Sequence, residues 1–583
     1  MSAALIAQQE MHIRVLQQFA HSGLLEDCGP PIWLPGKRPG TRDEATCSGR
    51  MTVEGQTFLL RVRLPWEFPL CLPIVSVEGT ESEAVLPHFT NDNEVCFASD
   101  VGLLDRRRPE AILNESLERV RTLLRDMLRG DRGGEFLREI QAYWFAIAIS
   151  KGHCIDSTVT ANNCPRIISA LYRGTGLQAV ADDANAYAHS LSDRKAEGLT
   201  AKKALYLPLA PGNGNPSFMP KELTTPEGLR KYVRRMPDGI QSALARLLHH
   251  FDESEHLVVL GLERPQGERA VVGVYLKRLE HGHPLLQDRT GAQVEPIALV
   301  RRDPDYLLPR GGAEHGLRER RVLIAGCGSV GGYIALALAR AGVGGLTLVD
   351  PDRFMPENTF RHVCGMRWHL EPKVTGLKKE IESRIPYVSV QPMDGRIEKL
   401  LQDEPDTVRG HDLVIAALGQ PTLELHLNEW AWSNAEHPPA LFTWLEPYGL
   451  GGHALLTHVR GEDATKRGCL ECLYDCDQGN RAAFADPGGT YTRDELGCGS
   501  RFMPFADLDA QRTAELATRL ALRALRREAH EAPMLSWKGD ARQFQQQEFT
   551  VTPRYEQESG KLEATWLDYR RDDCPICALG PTP

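Results

Sequence analysis

The sequence predicts a multidomain chain whose class changes along its length: α+β over residues 1–150, a poorly defined α/β linker or scaffold over 151–305, and α/β over 306–583. Three observations carry this. The chain has 583 residues, too many for one hydrophobic core. The first 150 residues read helix, strand-like runs, loop, helices. From about 306 the order becomes strand, glycine turn, helix, strand.

In the first unit, MSAALIAQQEMHIRVLQQF reads as an amphipathic helix, without the basic start and cleavage site of a secretory signal. Two strand-like runs, 51–64 and 72–79, flank the proline-bounded turn PWEFP. After a loop rich in Asn, Asp and His come helices at 112–130 and 136–149; in the first, Leu117, Val120, Leu123, Leu124 and Met127 recur at helical spacing. In the middle unit, 208–222 is a Pro/Gly-rich loop, and HLVVLGLE and AVVGVYLKRL read as paired strands. No residue cluster there suggests chemistry.

Composition narrows the function classes. A hydrophobic content of 42% with 25% charged residues is ordinary for a globular protein and excludes extensive disorder. The net charge of −10 gives no support to nucleic acid or an anionic membrane as partner. No apolar run is long enough to span a bilayer, so a cytoplasmic location is expected. In that reducing compartment the 14 cysteines are not a disulfide framework.

The sharpest local signal is RVLIAGCGSVGGYIALALARAGVGGLTLVDPD (321–352). A short apolar strand runs into Gly326, Gly328 and Gly331 at G-x-G-x-x-G spacing, a helix follows, and a second strand ends on Asp350. Glycines let backbone approach phosphate, the helix N-terminus supplies free N–H groups, and an acid about 20 residues on can hold ribose hydroxyls. Taken alone, this Rossmann-like motif fits an NAD-dependent oxidoreductase or a nucleotide-binding module.

The residues beyond this motif point elsewhere. DPDRFMPENTFRHVCG (350–365) and EPKVTGLKKEIESRIPYVSV (371–390) place Asp350, Asp352, Asn358, Arg361 and Lys373 after the strand end. Here residues 306–583 resemble the ThiF/MoeB and ubiquitin-activating adenylating enzymes, whose pattern is Asp-x-Asp, Asn-x-x-Arg, then Pro-Lys opening a helix. The resemblance implies that ATP is attacked at its α-phosphate by a carboxylate, with Arg361 and Lys373 stabilising the developing charge and Asn358 orienting a phosphate or the metal shell. Arg310 resembles the arginine that reaches a neighbouring active site across a homodimer. The resembled enzymes also carry an Asp for Mg²⁺ after a later strand. In HDLVIAALGQPTLELHL (411–427) Gly419 stands in that place, which leaves Asp350, Asp352, or ATP phosphates and water for the metal.

Cys469-x-x-Cys472 and Cys574-x-x-Cys577 each suit two thiolates on one tetrahedral ion, and the resemblance implies that they close one structural Zn²⁺ site. Cys476 is a spare thiol nearby. Cys498 lies in a Gly-rich loop before an apolar-periodic run at 508–525, with Arg493 and Arg501 close in sequence. In the resembled enzymes such a loop carries the cysteine that attacks the acyl adenylate.

FLLRVRLPWEFPLCLPIVSVEG, then LPHFTNDNEVCFASD, then a helix, resembles the ubiquitin-conjugating fold, with Cys96 as its acceptor thiol. The His-Pro-Asn triplet of that family is absent; His88, Asn91 and Asn93 precede Cys96 instead, and Asn91 or Asn93 is the candidate oxyanion donor. Conjugating-like domain first and activating-like domain last resembles the bacterial fusion proteins of CBASS anti-phage operons. That resemblance implies an activated C-terminus on a cGAS-like nucleotidyltransferase, or on a ubiquitin-like protein, relayed through Cys498 and Cys96 to a lysine-bearing acceptor. A sulfur-carrier activator of the ThiF type is the nearest alternative, and it leaves residues 1–150 without a role.

Overall fold

A computed structural model describes residues 3–34, 44–78, 88–89, 93–98, 104–130, 132–189, 197–210, 218–251, 254–265, 267, 269–279, 283–288, 291–385, 387–434, 436–458, 468–475, 479–494, 501–529, 531, 533–566 and 568–578. The chain divides into two compact units, Met1–Asp303 and Pro304–Pro583.

The first unit opens with helix α1 (Ala3–Ala20) and an antiparallel meander of β1 (Ile32–Leu34), β2 (Glu44–Val53), β3 (Gln56–Leu64) and β4 (Ile74–Glu78). The run 51–64, read from sequence as one strand, is the end of β2, a two-residue turn and all of β3. Glu54 and Gly55 both take positive φ, at 49° and 79°, which matches the twist of a tight hairpin. Alternate residues of β3, Phe58, Leu60, Val62 and Leu64, face a core shared with Val15, Leu16 and Phe19 of α1. Helix α2 (Pro109–Arg129) adds Leu113, Leu117, Val120 and Leu124 to the same core. Each such buried side chain contributes roughly 1.5–3 kcal/mol.

Helices α3 (Arg132–Arg138) and α4 (Ile140–Ile149) belong to a different core. Phe136, Leu137, Ile140, Tyr143 and Trp144 cluster with Leu205, Leu207, Val258, Leu260 and Val272. Those partners lie on a closed seven-stranded barrel, the form taken by the region whose fold the sequence left undefined. Its strands are β5 (Cys154–Ser157), β6 (Arg166–Arg173), β7 (Gly176–Ala181), β8 (Leu199–Leu209), β9 (His256–Glu263), β10 (Arg269–Lys277) and β11 (Gln293–Arg301), closing in the order β10-β11-β5-β7-β6-β8-β9. Strand β9 is buried on both faces: Leu257 and Val259 fill one cluster with Ile155 and Tyr206, while Val258 and Leu260 meet the helices.

The second unit is built on a seven-stranded sheet. β12 (Arg321–Ala325), β13 (Gly345–Val349), β14 (Ser389–Met393), β15 (Leu413–Ala416) and β16 (Ala440–Leu445) run parallel, and β17 (Gly451–Thr457) turns antiparallel. Two short ladders follow, β18 (Tyr474–Asp475) with β19 (Gly479–Asn480) and β20 (Arg493–Asp494) with β21 (Arg501–Phe502). β22 (Met534–Lys538) completes the sheet, in the order β14-β13-β12-β15-β16-β17-β22. Both faces are covered: Val322 and Ile324 pack with helices Ser329–Ala341 and Asp507–Leu525, whereas Leu323 and Ala325 pack toward Leu427, Leu470 and the CxxC cysteines. This accounts for strands that read as unbroken apolar runs. Strand order reverses between β12 and β15, which opens a crevice at their carboxyl ends.

Candidate active site and cysteine centres

The crevice is lined by the glycine turn. Gly326 takes φ of 89°, and a Cβ there would fall 2.4 Å from the Ala417 carbonyl oxygen. A Cβ on Gly331 would fall 1.9 Å from the Gly326 oxygen, so only glycine lets the helix Ser329–Ala341 start this close to β12. A Cβ on Gly328 would meet nothing within 4 Å. The turn thus packs tightly at its two outer glycines, and the helix opens at Gly328, its N-terminal cap, with no side-chain cap bond. That combination fits a phosphate group.

Asp350 holds this turn. One carboxylate oxygen accepts the Cys327 N–H at 2.7 Å and the other accepts the Asp352 N–H at 2.8 Å. Burial raises the Asp350 pKa, and the cation of Lys373 works against that rise. Asp352 is the open carboxylate: its side chain is 66% exposed and pairs with Lys373 Nζ at 2.8 Å. Lys373 is the first residue of the helix Lys373–Arg384 and is itself buried, so its ammonium is fixed at the rim of the crevice.

The turn is gripped from its other side by a residue that sequence reasoning passed over. His362 Nδ1 accepts the Cys364 N–H at 3.0 Å, which leaves Nε2 as the donor to the Cys327 carbonyl at 2.7 Å. The ring is therefore a neutral tautomer, and burial keeps its pKa low. Only the proximity of His362 to the Asn-x-x-Arg motif could have drawn attention to it.

Asn358 and Arg361 lie on the 3₁₀ turn Pro356–Arg361. Asn358 Oδ1 accepts the Met355 N–H at 2.9 Å, so its amide NH₂ is what it can offer a phosphate. Arg361 is half-buried, with its guanidinium 4.9 Å from the Phe505 ring centroid, and burial lowers its pKa. Phe505 lies just before the helix Asp507–Leu525, and Tyr333 donates to Asp507 at 2.7 Å across the same junction. Arg310 lies outside this group, stacked 3.7 Å over Tyr306.

At the end of β15, Gly419 has φ of 63°. A buried carboxylate organises this turn: Glu424 Oε1 accepts the N–H groups of Leu418 at 3.2 Å and Gly419 at 3.0 Å. Burial pushes its pKa up to about 7.

Cys469, Cys472, Cys574 and Cys577 come together, all four buried, with sulfurs within 4.8 Å of one another. The Cys469–Cys472, Cys469–Cys574 and Cys472–Cys577 sulfur distances are 3.9, 3.6 and 3.3 Å. Thiolates about 2.3 Å from a tetrahedral zinc stand about 3.8 Å apart, so the donor set fits that ion. Asn428 anchors the first pair by accepting the Leu470 N–H at 3.0 Å.

Cys96 is exposed. Its strand-like approach pairs with β4: Val77 N–H donates to Asn93 and Val95 N–H donates to Val75, at 3.0 and 2.7 Å. Val95 is buried, so the alternation turns Cys96 outward. The Cys96 N–H donates to the His88 carbonyl at 2.7 Å, and His88 and Asn93 both have positive φ, 63° and 59°. Asn91, Cys476 and Cys498 lie outside the described residues. So does all of 495–500, the sequence between β20 and β21, while Arg493 stacks 5.4 Å from Tyr448.

The model of the ThiF family matches residues 308–525, and that of prokaryotic E2 family B matches 39–151. The ATP-dependent ubiquitin transferase-like protein Cap2 of Pseudomonas aeruginosa is 25% identical over 468 residues, covering 76% of this chain and 80% of the relative. Its namesake from Vibrio cholerae is 26% identical over 249 residues, 40% of each chain. The solved structure of Escherichia coli MccB with MccA-N7isoASN is 18% identical, covers 45% of this chain and 68% of its own, and has a TM-score of 0.32. With the conjugating-like and adenylating parts both matched in one polypeptide, this chain is a fusion of a ubiquitin-conjugating-like domain and a ThiF adenylation domain, an ATP-dependent activating and conjugating enzyme.

Proposed function

We propose that this enzyme adenylates the C-terminal carboxylate of a partner protein and passes the acyl group through Cys498 and Cys96 to a lysine amine. The observation that carries the reading is the pairing, in one chain, of a glycine turn with Lys373 fixed at its rim and an outward-facing Cys96 in a conjugating-like meander.

The partner's carboxylate oxygen attacks the α-phosphorus of ATP and pyrophosphate leaves. Backbone N–H groups at Gly328 and the start of the following helix hold phosphate, Lys373 and Arg361 balance the charge that builds, and the Asn358 amide orients it. The Cys498 thiolate then attacks the acyl carbon and AMP leaves. Cys96 takes the acyl group with release of the Cys498 thiolate, and the amine displaces Cys96 to give an amide and a proton. Asn93 is one candidate for steadying the oxyanion at Cys96, and Asn91, outside the described residues, is the other.

Mg²⁺, when bound with ATP, would neutralise phosphate charge. Asp352 is the carboxylate open to it, because both oxygens of Asp350 accept backbone N–H groups. Zn²⁺ on the four cysteines would hold the chain end onto the sheet. The resemblance to CBASS fusions implies a cGAS-like nucleotidyltransferase, or a ubiquitin-like protein, as partner, a homodimer as the working form, and anti-phage defence as the setting.

The test is a non-reducing gel of the full chain with ATP and a candidate partner. Adducts cleaved by dithiothreitol are expected. Cys96→Ala should keep the Cys498 adduct and block final conjugates; unaltered conjugate yield would remove Cys96 from the pathway.

A further inference from the structure

The barrel and helix α4 have no assigned part in the chemistry, yet α4 meets the Cys96 loop through a closed ring of hydrogen bonds. The His88 N–H donates to the Tyr143 hydroxyl, and that hydroxyl donates to Glu139 Oε2 at 2.9 Å. Glu139 Oε1 lies 3.2 Å from His88 Nδ1, which closes the ring, and Glu135 flanks Nε2 at 3.5 Å. Glu135 of α3, Glu139 between the two helices and Tyr143 of α4 succeed one another at intervals of four. His88 needs such support. Its φ of 63° is a left-handed conformation that a histidine holds only when its surroundings over-determine it. The remaining polar group of His88, its carbonyl, is the one that accepts the Cys96 N–H.

The next residue of α4 reaches the barrel. Trp144 is buried, and its Nε1–H is shared between the carbonyls of Gly273 and Ile297, both at 3.0 Å. Gly273 and Ile297 are cross-strand partners on β10 and β11, so the indole is seated on the seam between these two strands. Tyr143 and Trp144 are about 100° apart around the helix, which lets one turn serve the loop and the barrel together.

We infer that Tyr143 and Glu139 are positioning residues for the Cys96 centre and that Trp144 makes the barrel the foundation on which that centre is set. The barrel then acts as the reference frame for the Cys96 loop. The inference rests on the reading of Cys96 as an acyl carrier only for its functional meaning; the coupling itself is measured without any partner.

The experiment uses the full chain and two readouts. Amide hydrogen exchange is followed in a peptide containing Cys96, with the β2–β3 hairpin as internal reference. Alkylation of Cys96 by iodoacetamide is followed by mass spectrometry across pH, with exposed Cys164 as control. Tyr143→Phe keeps the ring and removes the hydroxyl; Trp144→Phe removes the donor to the barrel. Both should speed exchange at Cys96, by about 10-fold for Tyr143→Phe and about 3-fold for Trp144→Phe, with the hairpin unchanged. The Cys96 alkylation profile should move while that of Cys164 does not, and Glu139→Gln, which can still accept from Tyr143, should fall nearer to wild type. Unchanged exchange and an unchanged profile in both aromatic variants would overturn the coupling. A wild-type chain that never forms a thioester at Cys96 would instead overturn the carrier reading and leave these measurements standing.

Discussion

Glu424 accepts the backbone N–H of Gly419 at 3.0 Å, so the turn that lacks the expected metal-binding aspartate is shaped by a carboxylate buried beneath it. Burial raises this group to about 7 from its ordinary 4.5. A raised acid stabilises the fold fully below its unfolded pKa, and that contribution is lost as pH rises from about 4.5 through about 7. The loss is on the order of 3 kcal/mol by the value of one pKa unit. Glu424→Gln retains an acceptor for both N–H groups and cannot ionise. Its melting temperature is expected to be at least equal to wild type above pH 7 and to change less between pH 5 and 8.

His362 slopes the other way. Its folded pKa is lowered by burial, so its contribution is present above about 6.5 and is lost as pH falls through the folded value. Protonation would put a hydrogen on Nδ1, where the Cys364 N–H now donates. His362→Gln should flatten the acid side of the thermal profile, and His362→Ala should weaken ATP binding several-fold by releasing the Cys327 carbonyl. Calorimetry with ATP, at pH 7.5 and pH 5.5, separates the two effects.

Lys373 faces ATP phosphates on the proposed reading, and its Nζ pairs with Asp352 in the structure. Lys373→Ala should raise the Kd for ATP at least about 10-fold, because a fixed charge-assisted contact is worth roughly 1.5–3 kcal/mol. The melting temperature without nucleotide should also fall, because the substitution leaves buried Asp350 without the cation that offsets its desolvation. Equal ATP affinity in the two proteins would place the phosphates elsewhere.

The four-cysteine cluster predicts about one zinc per chain by elemental analysis. Cys574→Ser should lower zinc occupancy and cost several kcal/mol of stability, because ion binding and local folding are linked. Full zinc occupancy in Cys574→Ser would exclude it as a ligand.

Much of the adenylation domain could be read directly. Gly326 and Gly331 advertise close backbone contacts, residues 322–325 of β12 and all of β15 are unbroken apolar runs, and 508–525 carries helical spacing that the helix Asp507–Leu525 bears out. Local patterns say less about partners brought from afar. His362 and Glu424 act on backbone groups 35 and 5–6 residues away, and apart from the place of His362 beside the Asn-x-x-Arg motif nothing local signals it. HLVVLGLE and AVVGVYLKRL are legible as a strand pair and form β9 and β10, but the barrel is not, because its closure pairs β5 with β11, which lie far apart in sequence. The hairpin at Glu54 and Gly55 lacks the Asn-Gly or Asp-Gly pair that most strongly marks a two-residue turn.

The central claim is that the glycine turn holds ATP for attack by a protein's terminal carboxylate. The most direct measurement is ATP–pyrophosphate exchange by the full chain, with and without candidate partner proteins ending in a free carboxylate, and with the same partners shortened at the C-terminus. The account predicts exchange that requires the intact partner terminus and is lost in Lys373→Ala. A chain that shows no exchange with any partner, yet binds a nicotinamide dinucleotide tightly, would contradict it.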